Sequence, residues 1–534
     1  MSKSNLLKLA LAVMFIAAAA CVWAGGGQAS GGSAAAPGAK KSFSIINAEL
    51  AGYGVPPDID VNNNKWNDIF KKNLPDIDIT WIIVPPNSMQ DRLNVMIGAG
   101  EQPDVFPMTM AQMIQWSDIG VIQNIDGMYD KYYKNIYNFL TADDLKPTRY
   151  NGHTYGIMAP DNRLQNPTIM SIRADWLDNL GLTMPKSIDE LYNVLRAFTF
   201  DDPDGNGKND TYGIAGCFNG NTSFNYMWEI FSMFGVQQGT NFTQVGNQIL
   251  PDFIRPEMRS AVEFLARLYR EGIMDKDTLV MNIQQLEAKS IQGILGMYGN
   301  FANGYSVRVI PTTLASNPNA KIELFTPPPA PDGKVFLPVG RNGTGMRGVS
   351  SKCTNVDAVM TFFNWIIEQD MSKLPYYSLN CDKIYLGLDE EGALGTYCVD
   401  LGGKYYMVLA QNLQTPAALS NQWRMGYRTL NGTIQALPDD LIFESMQMRI
   451  DQGQSRPIHL EAMKQTAQYG RPNAAAITGP VWASHANDIT TYWEETISSI
   501  VSGAKPITAF DDFVKFFYAN EGQKIIDETT ALNK

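Results

Sequence analysis

A chain of 534 residues is too long for one compact core, so we expect at least two domains. Its 54 acidic and 42 basic side chains give a net charge of -12, which argues against nucleic acid or anionic lipid as a partner. The three histidines lie far apart in the sequence, which argues against a histidine-rich catalytic metal centre.

The first residues predict an export signal, residues 1–24. Two lysines precede an apolar run, 9–20, that is too short to span a bilayer as a helix. The run ends in a motif resembling that of bacterial lipoproteins, so we expect lipidation at Cys21, with ordinary cleavage after Ala24 as the alternative. Residues 25–41 form a flexible Gly/Ala/Ser tether. We therefore expect an exported protein, either lipid-anchored at the cell membrane or periplasmic, with the anchor as its only membrane attachment.

Strands and helices alternate in the residues after the tether. The predicted strands are 42–47, 78–84 and 102–106, and the predicted helices are 66–74 and 88–97. The second of these helices begins at an apparent capping box at Ser88. This alternation predicts a parallel α/β sheet, whose ligands bind beyond the carboxyl ends of the strands. Tyr53, which follows the first strand, is therefore a predicted ligand contact.

A second unit is predicted to begin with a strand at 150–158. Its further elements are helices at 173–180, 187–198 and 258–273 and a strand at 291–298. The proline-rich segment 327–331 predicts a stiff crossing between the two units. A helix at 356–369 and a mostly helical remainder, ending in a helix at 511–527, complete the chain.

A calcium-binding loop is predicted directly after helix 187–198. Counted from Asp202, oxygen donors fall at positions one, three, five, seven and nine, which are Asp202, Asp204, Asn206, the carbonyl of Lys208, and Asp210. Gly207 at position six suits the sharp turn of an EF-hand loop. The alternative is an ordinary Asx/Gly turn without metal.

The twelfth position of this loop does not carry the glutamate that an EF-hand uses there. Gly213 occupies it, so a last ligand must come from elsewhere. Glu190 and Glu229 are candidates, and Thr211 could add a hydroxyl. The expected role of the ion is structural.

Sequence motifs of enzymes are few. The chain has no GxSxG, HExxH or GxxxxGK[ST]. Residues 343–348 fit GxGxxG, but no helix follows directly, as a dinucleotide site requires. Adjacent acidic pairs such as Asp143 and Asp144 diverge, whereas the two carboxyls of a glycosidase face each other. We therefore expect no enzymatic activity.

Aromatic residues in polar segments predict a different chemistry. Sugars present apolar C–H faces and a rim of hydroxyls, so their binders combine aromatic plates with Asn, Asp and Arg. The residues predicted to contact a ligand are Tyr53, Arg163, Trp228, Asn300, Phe301, Arg341, Trp423 and Trp482. For each of them, a core or surface position is the alternative.

Four cysteines remain besides Cys21. Cys381 and Cys398 would be the local disulfide pair in an oxidising compartment. Buried free thiols are the alternative for all four, Cys217 and Cys353 included.

Several motifs together resemble one family. They are the leader and tether, 98–105 (GAGEQPDV), 155–157 (YGI), 173–181 (RADWLDNLG) and 202–207 (DPDGNG). In them the chain is similar to the extracellular solute-binding proteins of bacterial ABC importers, family 1, of the large lipoprotein type related to alginate-oligosaccharide binders. The resemblance is strongest from about residue 42 to residue 215.

This resemblance implies an α/β fold of two lobes, of periplasmic-binding-protein type, with a hinge and an interlobe cleft. It also implies calcium (Ca2+) at the DPDGNG loop and a monomer that captures a carbohydrate, in particular an oligosaccharide, for an ABC permease. We expect an N-terminal lobe of 42–158 plus about 296–347, and a mostly helical C-terminal lobe of 159–295 plus 348–534. An exported lyase or hydrolase, and a receptor for peptides or another solute, are the alternatives.

Overall fold

The computed structural model describes most of the chain from residue 40 onward. The described residues are 40–48, 60–63, 67, 71, 74–85, 88–128, 131, 142–160, 167–219, 222–339, 343–372, 396–401, 404–409, 443, 446–447, 450–451 and 455–534. The predicted residues Cys21, Tyr53, Arg163, Arg341 and Trp423 lie outside these ranges. The elements below lie in the unit Ser42–Lys534, with one further residue at the start of the first strand.

The strands are β1 (Lys41–Ala48), β2 (Ile77–Val84), β3 (Val105–Pro107), β4 (Arg149–Tyr150), β5 (His153–Thr154), β6 (Gly156–Pro160), β7 (Thr168–Arg173), β8 (Tyr212–Ile214), β9 (Cys217–Asn219), β10 (Thr222–Asn225), β11 (Phe242–Val245), β12 (Gln248–Pro251), β13 (Leu295–Phe301), β14 (Ile322–Leu324), β15 (Leu337–Val339), β16 (Gly343–Val349), β17 (Thr396–Leu401), β18 (Lys404–Leu409) and β19 (Gly470–Pro472).

The helices are α1 (Met89–Ala99), α2 (Met110–Asp118), α3 (Ala142–Leu145), α4 (Ala174–Leu180), α5 (Ile188–Phe200), α6 (Trp228–Ser232), α7 (Pro256–Arg270), α8 (Ile283–Ile291), α9 (Ala302–Gly304), α10 (Ile310–Ser316), α11 (Val356–Ser372), α12 (Pro457–Tyr469), α13 (Pro480–Val501), α14 (Thr508–Ala519) and α15 (Gly522–Leu532). Short 3-10 turns lie at Lys146–Thr148, Asp252–Ile254 and Lys276–Leu279, and a π-helical turn lies at Tyr305–Val309.

The first sheet has, in the described residues, five strands in the order β2-β1-β3-β16-β6. Strands β1 and β3 are parallel, and β16 runs antiparallel to both of its neighbours. Because successive side chains of a strand point to opposite faces, Ile45 packs in one hydrophobic core and Ile46 in another. Helix α11 contributes to the first core, and α1 and α2 contribute to the second. We name this part the first lobe.

The second sheet has, among the described strands, the order β14-β7-β13-β8. Strand β13 pairs antiparallel with β7 and parallel with β8. Met297 and Tyr298, which are successive residues of β13, are buried in different cores, so this sheet is also covered on both faces. Residues of α5, α7 and α13–α15 form most of the larger core. We name this part the second lobe.

The division of the chain between the lobes differs from the one predicted. Residues 296–301 belong to β13 and 322–324 to β14, so both segments lie in the second sheet and not in the N-terminal lobe. Conversely, α11 packs on the first sheet through Val359 and Phe362, although its residues follow position 348. The error arises because strand pairing between distant segments leaves no signal in local sequence periodicity.

Some local predictions are also corrected. The hydroxyl of Ser88 donates to the Pro85 carbonyl and does not cap α1, whereas Thr109 and Gln112 form a reciprocal capping box at α2. The helix predicted at 511–527 is divided into α14 and α15, because Glu521 adopts φ 59° between them.

Cys217 and Cys353 are buried free thiols, and burial raises the pKa of each to about 12. Cys381, and the side chain of Cys398, lie outside what the structure describes. Within the described part of the chain, none of the helices has the length and apolar character that crossing a bilayer requires.

Candidate functional site

Three aromatic rings form a cluster on the second lobe. The ring centroids of Tyr226 and Trp228 are 5.0 Å apart, those of Trp228 and Phe301 5.3 Å, and those of Tyr226 and Phe301 6.3 Å. Phe301 is 41% exposed, and the other two are half-buried. We name Tyr226, Trp228 and Phe301 the aromatic platform. It offers the kind of apolar surface on which a sugar ring can pack.

The backbone under the platform is tightly constrained. Tyr226 adopts φ 69°, a left-handed conformation that is uncommon for a residue with a side chain. Its carbonyl oxygen lies against β13, where a Cβ added at Gly299 would be 2.1 Å from it. Only glycine at position 299 leaves room for this approach, which brings the rings of Tyr226 and Phe301 together.

The platform lies where the chain passes from one lobe to the other. Phe301 is the last residue of β13 and pairs in register with Thr168, the first residue of β7. Strand β6 of the first lobe ends at Pro160 and β7 of the second lobe begins at Thr168, so the second lobe starts at this pair. Ligands of two-lobe proteins bind where the lobes face each other, and the platform is therefore our candidate binding site.

Polar side chains lie directly beside the platform. The Asn300 amide donates to the Tyr298 hydroxyl at 2.6 Å and to Glu287 at 3.2 Å, and its oxygen accepts from the Phe301 backbone N–H at 2.7 Å. Glu287 also accepts from the guanidinium of Arg308. Asn300 is only 4% exposed, so it has little surface that a ligand can contact. Its role is to hold the backbone of Phe301 in place.

Glu229 follows Trp228 and is entirely enclosed. Burial raises the pKa of its carboxyl to about 7, while a hydrogen bond with the Thr168 side chain acts in the opposite direction. Its Oε2 atom has no hydrogen-bond partner. Glu229 thus connects the start of β7 to the base of the platform as a buried acid.

Trp482 is not placed at this site. It is 7% exposed and lies in the larger core of the second lobe, where its ring stacks on Phe253 at 6.0 Å between centroids and 23° between planes. Its polar neighbours in sequence occupy other faces of α13, which explains why the sequence suggested a ligand contact. We correct that prediction: Trp482 is a core residue.

Of the predicted ligand contacts, the structure brings together Trp228, Asn300 and Phe301. The residues that the prediction omitted are Tyr226, Glu287 and Arg308. Tyr226 was detectable as an aromatic residue two positions before Trp228. The other two are 21 residues apart in sequence and meet only through the tertiary fold.

The predicted calcium loop folds around Asn206. Its side-chain amide donates to Asp204 at 2.8 Å and to Asp210 at 3.1 Å, and the backbone N–H groups of Asn206 and Gly207 donate to Asp202 at 3.0 Å each. Burial raises the pKa of Asp204, with the nearby acids adding to the rise. In the described residues, no group of three or more His, Cys, Asp or Glu side chains is arranged to hold a metal.

The oxygen donors of the loop nevertheless suit a hard cation. Gly205 and Gly207 both have positive φ, at 67° and 76°, which keeps the loop tightly turned. The Asn206 amide hydrogens point at two carboxylates, while its oxygen accepts from the Lys208 N–H at 2.7 Å. Rotating the amide would present the oxygen to an ion at the cost of the bond from Lys208. An ion would also relieve the mutual repulsion of the three acids.

None of the candidates for the last calcium ligand reaches the loop. Glu190 accepts from the Lys186 N–H at the beginning of α5, about 18 Å of helix away from the loop at its end. Glu229 is buried beside Thr168, and the Thr211 hydroxyl donates to the Phe198 carbonyl. A glutamate at Gly213 is also impossible without rearrangement, because a Cβ there would be 2.4 Å from the Leu195 carbonyl oxygen.

Comparison with known proteins gives consistent similarities. A family model described as bacterial extracellular solute-binding protein matches residues 55–372. The chain is 32% identical over 326 residues to the polygalacturonan/rhamnogalacturonan-binding protein YtcQ of Bacillus subtilis, which covers 59% of this chain and 62% of YtcQ. It is 30% identical over 229 residues to the fructooligosaccharide ABC transporter substrate-binding protein FusA of Streptococcus pneumoniae. This match covers 39% of this chain and 41% of FusA. The chain therefore matches less than two thirds of the length of these relatives.

Solved structures share the fold over nearly the whole chain. FusA of S. pneumoniae in complex with kestose has a TM-score of 0.65 at 18% identity, covering 92% of this chain and 99% of FusA. The alginate-binding protein AlgQ2 without calcium ion has a TM-score of 0.64 at 17% identity, and the match covers 93% of this chain and 98% of AlgQ2. These matches confirm the predicted α/β fold with two lobes, of the periplasmic-binding-protein type.

Proposed function

Because the chain belongs to the family of bacterial extracellular solute-binding proteins, we propose that it is the substrate-binding component of an ABC importer. It would capture a carbohydrate, in particular an oligosaccharide, and deliver it to a membrane permease. The aromatic platform of Tyr226, Trp228 and Phe301 carries this proposal, since it supplies a partly exposed apolar surface bordered by hydrogen-bonding groups. Relatives whose names specify sugars support it further.

Capture would proceed by closure of the lobes. A ligand that rests on the platform gains contacts with the first lobe only in the closed state, and this difference in affinity shifts the protein toward closure. No bond is made or broken in this step. Of the two carboxyls beside the platform, Glu287 is engaged by Arg308 and Asn300, and Glu229 is fully enclosed. Neither is therefore presented as one of two facing catalytic acids.

We further propose that the DPDGNG loop binds a structural calcium ion through Asp202, Asp204, Asn206, the Lys208 carbonyl and Asp210. When bound, the ion would join the end of α5 to β8. The convergence of three acids on Asn206 supports this, and the absence of a twelfth-position carboxylate predicts modest affinity.

The cellular arrangement belongs to the same proposal. The protein would be exported as a monomer and held at the membrane surface by a lipid on Cys21, with residues 25–41 as the tether. One of the relatives, LipO of B. subtilis, is named a lipoprotein and is 33% identical over 240 residues.

A thermal-shift screen of the purified protein against neutral and acidic oligosaccharides and short peptides tests the function. We expect stabilisation by at least one oligosaccharide and by no peptide. Chromatography of the sugar after long incubation should recover it intact. Cleaved sugar would establish the alternative, an exported carbohydrate-active enzyme, and stabilisation by peptides alone would establish a peptide receptor.

A further inference from the structure

A charged pair beside the aromatic platform remains without an assigned role. Glu287 lies on α8, and Arg308 lies in the π-helical turn Tyr305–Val309. The guanidinium donates from Nε to Glu287 Oε2 at 3.1 Å and from Nη2 to Glu287 Oε1, so the contact is bidentate. The Arg308 side chain is 53% exposed and that of Glu287 is 13% exposed. Solvent, and therefore a ligand, can reach the pair.

The backbone that presents Arg308 is unusual. Segments α9, Tyr305–Val309 and α10 form one continuous helical path that contains Pro311. Proline lacks an N–H and its ring collides with the carbonyl four residues earlier, and a wider π turn ahead of it accommodates this. Such turns are rare and are frequent at functional sites.

A glycine provides the space for the guanidinium. A Cβ added at Gly304 would be 3.3 Å from Arg308 Nη2 and 3.8 Å from Asn300 Oδ1. The first of these distances is tighter than a relaxed contact, so a larger residue would push the guanidinium away. The helix start is therefore shaped to let Arg308 fold back toward Glu287 and the platform.

Two further contacts connect the pair with the platform. Asn300 donates to Glu287 at 3.2 Å and accepts from the Phe301 N–H at 2.7 Å. On the other side, the Tyr226 hydroxyl senses both charges: burial chiefly raises its pKa to about 12, Glu287 adds to that rise, and Arg308 opposes it. The pair is thus linked to the platform through Asn300 and lies near enough to the Tyr226 hydroxyl to act on it electrostatically.

On the basis of the proposed function, we propose that Glu287 and Arg308 determine specificity at the platform by favouring neutral sugars over sugars that carry carboxylates. The hydroxyls of a neutral sugar can donate to the Glu287 carboxylate and accept from the guanidinium. A uronate needs a cation whose charge is available, but Glu287 neutralises Arg308 and itself repels a second carboxylate. Specificity of this kind rests on a repulsive element as much as on an attractive one.

Isothermal titration of the purified protein tests this inference. The probes are trigalacturonate and three neutral trisaccharides (1-kestose, maltotriose and cellotriose), at one low salt concentration so that screening does not mask the charges. For the wild-type protein, we expect at least one neutral trisaccharide to bind about tenfold or more tightly than trigalacturonate.

Three variants separate charge from structure. Glu287→Gln leaves Arg308 positively charged. The ratio of the affinity for trigalacturonate to the affinity for the neutral trisaccharide should therefore rise by about tenfold. The double variant Glu287→Gln with Arg308→Gln restores local neutrality and should return the ratio toward the wild-type value. Glu323→Gln, at an exposed position on β14, is the matched control and should leave the ratio unchanged.

The outcomes distinguish this inference from the proposed function. If trigalacturonate binds as tightly as every neutral trisaccharide, or if Glu287→Gln leaves the ratio unchanged in a folded protein, the specificity role is refuted while carbohydrate binding stands. If none of the four sugars binds to the wild-type protein, the specificity role is refuted for these ligands, and the thermal-shift screen decides whether the protein binds carbohydrate at all.

Discussion

Trp482 and Ala483, consecutive residues of α13, are buried in two different hydrophobic cores. Trp482 stacks on Phe253 in the larger core of the second lobe, whereas Ala483 lies in a core of the first lobe with Trp116. The Ala483 carbonyl also accepts a hydrogen bond of 2.7 Å from the Gln115 side chain on α2. The beginning of α13 is thus packed against both lobes.

Replacement of Trp482 tests its assignment to the core. Trp482→Ala removes a buried ring from a close-packed core and should lower the free energy of unfolding by about 3–5 kcal/mol. Chemical denaturation measures this loss. Sugar affinity, measured at a temperature where the variant is folded, should equal that of the wild-type protein. Loss of affinity with little loss of stability would instead place Trp482 in the binding site.

Gly299→Ala tests the constraint beneath the platform. The new Cβ would be 2.1 Å from the Tyr226 carbonyl oxygen, and since both groups belong to the backbone, no side-chain rotation can relieve the contact. We expect a loss of about 1–3 kcal/mol in unfolding free energy and weaker sugar binding. Gly98→Ala is the control, because nothing lies within 4 Å of its Cβ and it should stabilise α1 slightly. If the two variants had the same unfolding free energy and the same sugar affinity, the proposed constraint at Gly299 would be contradicted.

The stability of the protein should depend on the ionisation of Glu229. Burial raises the pKa of its carboxyl to about 7, above the 4.5 of an ordinary glutamate. The folded state therefore binds the proton more tightly than the unfolded state does. This preference stabilises the fold fully below about pH 4.5, and the stabilisation is lost as the pH rises through about 7. The shift corresponds to roughly 3 kcal/mol.

Glu229→Gln removes that titration. Relative to wild type, the variant should gain stability progressively between about pH 5 and about pH 8, as measured by denaturation at each pH. A difference between Glu229→Gln and wild type that is constant across this range would show that Glu229 does not titrate there.

Calcium should stabilise the protein through the DPDGNG loop. The melting temperature should rise with added calcium at neutral pH and fall on chelation. At a calcium concentration one hundred times the Kd, binding should raise the free energy of unfolding by about 2.7 kcal/mol. Because burial and the neighbouring acids raise the pKa of Asp204, protons compete with the ion, and the effect should shrink as the pH falls.

Two substitutions assign the calcium effect to this loop. Asp204→Asn should abolish most of the stabilisation, and Asp201→Asn, one residue before the loop, should retain it. A calcium response that survives Asp204→Asn would place the ion elsewhere.

Local chemistry made part of this structure predictable. The loop from Asp202 and the end of α4 at Gly181, which adopts φ 66°, follow from turn geometry that only a few residue types satisfy. Trp228 and Phe301 were recognisable as aromatic residues in polar surroundings. These signals reside within a few residues of the chain.

The features that escaped prediction depend on contacts between distant segments. The pairing of β13 with β7, which moves residues 296–301 to the second lobe, has no local signature. Neither does the meeting of Glu287 with Arg308. The prediction for Trp482 was wrong because residues adjacent in the sequence of a helix point in different directions. Polar residues next to Trp482 therefore do not indicate whether its own side chain is exposed.

The most direct test of the central claim is the sugar affinity of platform variants. Isothermal titration should show one binding site in the wild-type protein, with affinity about tenfold or more weaker in Trp228→Ala and in Phe301→Ala. Phe200→Ala, which removes a 44% exposed ring elsewhere on the second lobe, should bind as the wild-type protein does. Undiminished affinity in both platform variants would contradict the account that a sugar rests on these rings.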